Sequence, residues 1–126
     1  MVKIGLVGTG ILGEAVGLHL LESGYSLTVY NRTASKTESL KEKGATVADQ
    51  PKHVAESSDL VITCVKDADA VNQVLFGQDG LVAGKQAGIT VADMSTINPS
   101  SAKEFSKKLH DEGIKSLEIP VMGGPN

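Results

Sequence analysis

The chain has 126 residues, a formal net charge of −3, 40% hydrophobic and 21% charged residues, the composition of a single soluble globular domain. Its scattered Lys and Arg form no basic stripe for a nucleic acid, and no run approaches the roughly 18 apolar residues of a membrane span, so neither partner is expected. One cysteine, Cys64, excludes a disulfide framework, and a start at Met1 without a basic and apolar leader makes the cytoplasm the expected compartment.

The first predicted strand, residues 2–7, is apolar almost throughout, as expected of a strand covered on both faces. It runs straight into Gly8-Thr9-Gly10-Ile11-Leu12-Gly13, which matches G-x-G-x-x-G and opens a helix predicted over 11–23, with Gly24 after it where a left-handed cap is common. In such a loop the first glycine permits the tight turn, the second lets a pyrophosphate approach the backbone, and the third brings helix and sheet together. The anion then rests on free amides at the helix N-terminus, so Gly8, Thr9, Gly10, Ile11, Leu12 and Gly13 are the expected cofactor contacts. Ile11, Leu12, Ala15, Val16, Leu18, Leu20 and Leu21 supply the apolar residues by which this helix packs on the sheet.

A second strand, 26–30, ends about 20 residues past the glycines, where a dinucleotide fold reads the adenosine ribose. That place holds Asn31-Arg32-Thr33. An acidic residue there accepts hydrogen bonds from a free 2′-hydroxyl and repels a 2′-phosphate, whereas Asn, Arg and Thr all donate to phosphate oxygens. The expected cofactor is NADP, with NAD admitted. A helix at 35–43, a strand at 45–48, a helix at 51–57 and a strand at 60–65 follow. Cys64 in that last run reads as a small buried hydrophobe, while Val65 and Lys66 at its end are placed near the cofactor. A helix at 69–75 and a strand at 89–92 lead to Asp93-Met94-Ser95-Thr96-Ile97-Asn98-Pro99, in which Asn98 is set to cap a helix at 99–112 and Pro99 to occupy its first turn. Ser95 and Thr96 thus stand at the C-terminal end of a strand, where open α/β sheets bind ligands. A strand at 114–119 runs into Pro120-Val121-Met122-Gly123-Gly124-Pro125-Asn126, a turn whose amides suit either an anion or a simple bend. Strict strand and helix alternation implies right-handed βαβ crossovers, hence a Rossmann-type, doubly wound α/β fold with a mainly parallel sheet and helices on both faces.

The glycine loop, Asn31-Arg32-Thr33 and Asp93-Met94-Ser95-Thr96-Ile97-Asn98-Pro99 together resemble the β-hydroxyacid dehydrogenase family, which includes 3-hydroxyisobutyrate dehydrogenase, glyoxylate and succinic semialdehyde reductases and 6-phosphogluconate dehydrogenase. The resemblance spans essentially the whole chain, with Thr9 and Leu12 as mild departures in the loop. It implies that Ser95 lies near the substrate and Thr96 near the nicotinamide. The family's Asp-Ala-Pro-Val-Ser-Gly-Gly is similar to Glu118-Ile119-Pro120-Val121-Met122-Gly123-Gly124, which places Met122, Gly123 and Gly124 at the substrate with Met122 where the family has serine. A thioether cannot donate to a carboxylate, so either the glycine amides suffice or the substrate differs from the usual hydroxyacid.

The resemblance further implies that residues 1–126 are the dinucleotide-binding domain of an enzyme moving hydride between nicotinamide and a short 3-hydroxyacid or aldehyde. The family's helical domain, which carries the proton-transferring lysine, would lie outside this chain, so no catalytic residue is expected within it. Without that domain the fragment should be inactive and self-associate. Two alternatives stand beside this reading: the amino domain of another reductase, such as pyrroline-carboxylate reductase, and a non-catalytic nucleotide-sensing module.

Overall fold

A computed structural model describes residues 2–65, 67–84, 88–94 and 99–118. Six parallel strands, β1 (Lys3–Val7), β2 (Ser26–Tyr30), β3 (Thr46–Val47), β4 (Leu60–Thr63), β5 (Thr90–Asp93) and β6 (Lys115–Glu118), form one sheet in the order β3-β2-β1-β4-β5-β6. Helices α1 (Ile11–Glu22), α2 (Glu38–Glu42), α3 (Pro51–Glu56), α4 (Ala68–Phe76) and α5 (Pro99–Asp111) connect them, with 3₁₀ turns at Ala34–Thr37 and Leu81–Gly84. This is the Rossmann strand order.

The chain winds outward from β1 through β2 to β3, then returns to the other side of β1 and winds outward again through β6. Register makes the reversal useful. Val7 pairs with Tyr30 on one side and Thr63 on the other, and Thr63 pairs with Asp93, so four strands end at one level. The loops leaving Val7 and Thr63 diverge there and open a crevice between them.

Alternating side chains of the strands feed two apolar layers. Leu6, Leu27, Val29 and Ile62 face α1 and α2 with Leu40, while Val7, Val61 and Val91 face α3, α4 and α5 with Val54, Val71, Leu75, Phe105 and Leu109. Both faces of the sheet are therefore covered, which explains why its strands are apolar throughout. Helix α1 departs from the expected packing. Its buried residues are Gly13 and Gly17, while Ile11 is 96% exposed and Leu12 is exposed as well. A methyl on Gly17 would stand 2.9 Å from Leu40 Cδ2 and 3.1 Å from Leu6 Cδ2. The helix thus lies on the core through its glycine face, which leaves no depth for large side chains beneath it. Val16, Leu18, Leu20 and Leu21 flank that contact half-buried.

Helix α4 starts at Ala68, one residue earlier than its apolar period indicates. The Asp67 carboxylate accepts from the Ala70 amide at 2.9 Å and caps the helix. Among the described residues no helix is long and apolar enough to cross a membrane.

Candidate functional site

At the C-terminal end of β1 the chain must turn sharply into α1, and Gly8 takes φ +101 to do so. Its N–H donates to the Tyr30 carbonyl at 2.9 Å, and a side chain at Gly8 would collide with the Cys64 carbonyl across the crevice. Any Cβ at Gly13 would strike the Gly8 carbonyl. These two glycines are therefore required by the fold itself. Gly10 is not. It holds φ −70 and ψ −165, an extended conformation open to any residue, and a methyl there meets no atom of the described residues within 4 Å. Every other described glycine has either a positive φ or a close neighbour. The N–H groups of Ile11, Leu12 and Gly13 precede the first helical hydrogen bond, from Glu14 N–H to the Gly10 carbonyl at 2.8 Å, and no side chain caps them among the described residues. Gly10 thus leaves clear space in front of a set of amide donors.

The loop after β2 forms the neighbouring wall. Asn31 Oδ1 accepts from the Thr9 amide at 2.9 Å, and Asn31 Nδ2 donates to the Thr33 carbonyl at 3.0 Å. Thr9 is buried, and its hydroxyl donates to the Lys36 carbonyl at 2.9 Å. Thr9 and Asn31 therefore commit side-chain groups to holding two loops together. Arg32 is exposed between them and makes no hydrogen bond or ion pair among the described residues, so its guanidinium is available to a ligand.

A cleft of about 670 Å³ opens from these loops. Val7, Gly8, Tyr30, Asn31 and Arg32 line one side; Val65, Pro51 and the α4 residues Ala70, Gln73, Val74 and Phe76 line the other. That volume lies in the range of small-molecule and cofactor sites. The far wall is fixed by Asp79, whose carboxylate takes an ion pair from Lys52 at 3.1 Å and a hydrogen bond from Gln50 Nε2 at 3.2 Å. The Asp79 carbonyl accepts the Lys52 amide at 2.9 Å as well. Pro51, Gln73, Val74 and Asp79 carry no motif, and only the folding of α3 and α4 onto one face of the sheet brings them to Arg32.

Beside the crevice, buried Thr63 donates its hydroxyl to Asp93 Oδ1 at 2.8 Å, joining the ends of β4 and β5. Cys64 follows Thr63, and its amide donates to the Val7 carbonyl at 2.8 Å. Burial, and secondarily the Asp93 carboxylate, push the Cys64 thiol pKa up, which leaves it protonated and a poor nucleophile.

The structure brings together Gly8 to Gly13, Asn31 to Thr33, and Val65. Lys66, Ser95, Thr96, Met122, Gly123 and Gly124 lie outside the described residues, as does the capping residue Asn98. No cluster of metal-ligating side chains occurs among the described residues.

Residues 3–126 match the model of a protein family described as the NAD binding domain of 6-phosphogluconate dehydrogenase. A probable 3-hydroxyisobutyrate dehydrogenase-like protein of Arabidopsis thaliana is 42% identical over 123 residues, covering 97% of this chain and 37% of the relative. The structure of an imine reductase from Myxococcus stipitatus in complex with NADP+ superposes with a TM-score of 0.88 at 31% identity, over 98% of this chain and 42% of that one. A V8 variant of imine reductase from the same organism, in complex with NAD+, gives a TM-score of 0.90 at 27% identity, over 99% and 42% of the two chains. This chain spans about two fifths of the length of these relatives.

Proposed function

The chain belongs to the family of the 6-phosphogluconate dehydrogenase NAD binding domain, and from that premise we propose that it binds NADP(H) in preference to NAD(H), as the nucleotide-holding part of a longer oxidoreductase. The single observation carrying the nucleotide-binding reading is Gly10, which neither φ nor packing among the described residues requires to be glycine and which directly precedes the α1 amides. A phosphate-approach role supplies the missing reason. Ile11, Leu12 and Gly13 would hold the pyrophosphate through their amides, and the cleft between Arg32 and α4 would take the adenosine. Arg32, exposed and without a partner among the described residues, supports the 2′-phosphate assignment, with Thr33 beside it.

The bound nicotinamide supplies hydride exchange; this chain's residues bind and orient it. For the whole protein, the proposed reaction is transfer of hydride to or from a short 3-hydroxyacid or aldehyde, with Ser95, Met122, Gly123 and Gly124 toward the substrate, Lys66 and Thr96 toward the cofactor, and the proton-transferring lysine outside residues 1–126. A second reading, reduction of an imine, is favoured by one residue. Met122 offers a carboxylate no hydrogen-bond donor, and a solved relative at 31% identity is an imine reductase. Self-association through β6 is also part of the proposal, supported by Leu117, 56% exposed on the last strand of the described sheet.

Calorimetric titration of the chain with NADP+ and NAD+ tests the cofactor reading. Tighter NADP+ binding is expected, and Arg32→Ala should remove about 1.5–3 kcal/mol of it, roughly 10- to 150-fold in affinity. Equal affinities in the wild type and in Arg32→Ala would overturn the assignment.

A further inference from the structure

Among the glycine-loop residues that carry a side chain, Thr9 alone is buried, at 4% exposure, while Ile11 and Leu12 are exposed. Its hydroxyl donates to the Lys36 carbonyl at 2.9 Å, 27 residues along the chain, and its amide donates to Asn31 Oδ1 at 2.9 Å, 22 residues along. Asn31 Nδ2 in turn donates to the Thr33 carbonyl, which also accepts the Lys36 amide at 3.0 Å. These bonds close a ring through Thr9, Asn31, Thr33 and Lys36. Arg32 sits inside that ring in sequence but contributes nothing to it.

The ring joins two loops that meet different parts of a nucleotide. One presents the α1 amides, and the other presents Arg32. Their separation decides whether a ligand anchored by its pyrophosphate can also reach the guanidinium. Lost freedom at such a contact subtracts from affinity, and a scaffold that removes it beforehand returns the difference. Thr9 supplies two of the ring's hydrogen bonds and is the only loop member of the ring on the pyrophosphate side. A hydrophobe of the same shape would leave the Lys36 carbonyl without that donor and remove one of the two Thr9 bonds between the loops, the amide bond to Asn31 alone remaining, so that the Arg32 loop is held less firmly.

We infer that Thr9 is a specificity-positioning residue: without touching the nucleotide, it sets the preference for a 2′-phosphate by holding the Arg32 loop at a fixed distance from the pyrophosphate loop. The inference rests on the reading of Arg32 as the 2′-phosphate contact. It also accounts for threonine at a position where the loop pattern asks for no particular side chain.

The test is titration of Thr9→Val, Thr9→Ser and Arg32→Ala with NADP+ and NAD+, with folding checked by circular dichroism. Thr9→Val is expected to weaken NADP+ about tenfold and NAD+ by less than about threefold, so that the affinity ratio falls. Thr9→Ser, which keeps the hydroxyl, should restore the ratio. Combining Thr9→Val with Arg32→Ala should lower the ratio little beyond Arg32→Ala alone, because both act on one contact. If the valine variant fails to fold, Thr9→Ala is read in the same way. Equal weakening of both nucleotides, or an unchanged ratio, overturns the inference while leaving the Arg32 reading intact. An unchanged ratio in Arg32→Ala defeats that reading and this inference together.

Discussion

Replacing Gly10 by alanine separates binding from folding, because the structure sets the two effects on different atoms. At φ −70 and ψ −165 alanine is unstrained, and its methyl enters space with no atom of the described residues within 4 Å. Two small terms act on stability. Restricting the unfolded chain favours the variant by about 0.4–1 kcal/mol, while alanine is a poorer helix N-cap than glycine by an amount of the same order. The net change should stay below about 1 kcal/mol. Binding is another matter, since in the proposed reading the methyl would occupy the space through which the pyrophosphate approaches the α1 amides. Losing one charge-assisted amide contact to pyrophosphate corresponds to about 1.5–3 kcal/mol, or roughly 10- to 150-fold in affinity for NADP+ and NAD+ alike. Gly13→Ala is the contrasting variant, because its methyl strikes the Gly8 carbonyl and must shift backbone, at a cost of about 1–3 kcal/mol in stability. Thermal denaturation and calorimetric titration of both variants give the comparison. Gly10→Ala with native stability and undiminished nucleotide binding would refute the reasoning that this glycine is kept clear for a ligand.

Other substitutions probe the neighbouring contacts. Asn31→Asp keeps an acceptor for the Thr9 amide but sets an oxygen against the Thr33 carbonyl and a negative charge at the end of β2, so preference should reverse toward NAD+; competition between the two nucleotides measures it, and retained NADP+ preference contradicts it. Thr63→Val removes the hydroxyl that bonds Asp93 and should cost about 1–2 kcal/mol by denaturant titration, with no loss pointing to a dispensable contact. Because burial raises the Cys64 pKa, the unfolded chain releases that proton first as pH rises. Stability is therefore full below the ordinary thiol range and declines above it, through the raised native pKa. Melting curves from about neutral pH to about pH 10 should fall more steeply for the wild type than for Cys64→Ala, and parallel curves would speak against the effect.

The alternation of strands and helices was legible because each central strand is buried on both faces and so reads as a continuous apolar run. Short segments without a period were less so. The 3₁₀ turns at Ala34–Thr37 and Leu81–Gly84 have no period of their own and are set by what they pack on. Counting apolar residues on α1 misjudged its contact, since Gly13 and Gly17 form it while Ile11 and Leu12 stay exposed. One wall of the site was visible in sequence, as glycines and Asn31-Arg32-Thr33 follow the first two strands directly. The opposite wall was invisible, because Pro51, Gln73 and Asp79 reach it only through the reversal of strand order between β1 and β4. Thr9 resembled a neutral departure from the loop pattern, and its partners lie more than 20 residues away.

Amide chemical shifts of the ¹⁵N-labelled chain during titration with NADP+ test the central claim most directly, since each affected backbone group is identified without a mutation. Shifts should concentrate at Gly8 to Gly13, Asn31 to Thr33 and Val65, with those at Arg32 and Thr33 smaller when NAD+ replaces NADP+. Saturating NADP+ that leaves Gly10, Ile11 and Leu12 unmoved, or that perturbs the α5 and β6 surface around Lys107 and Lys115 instead, would contradict the account.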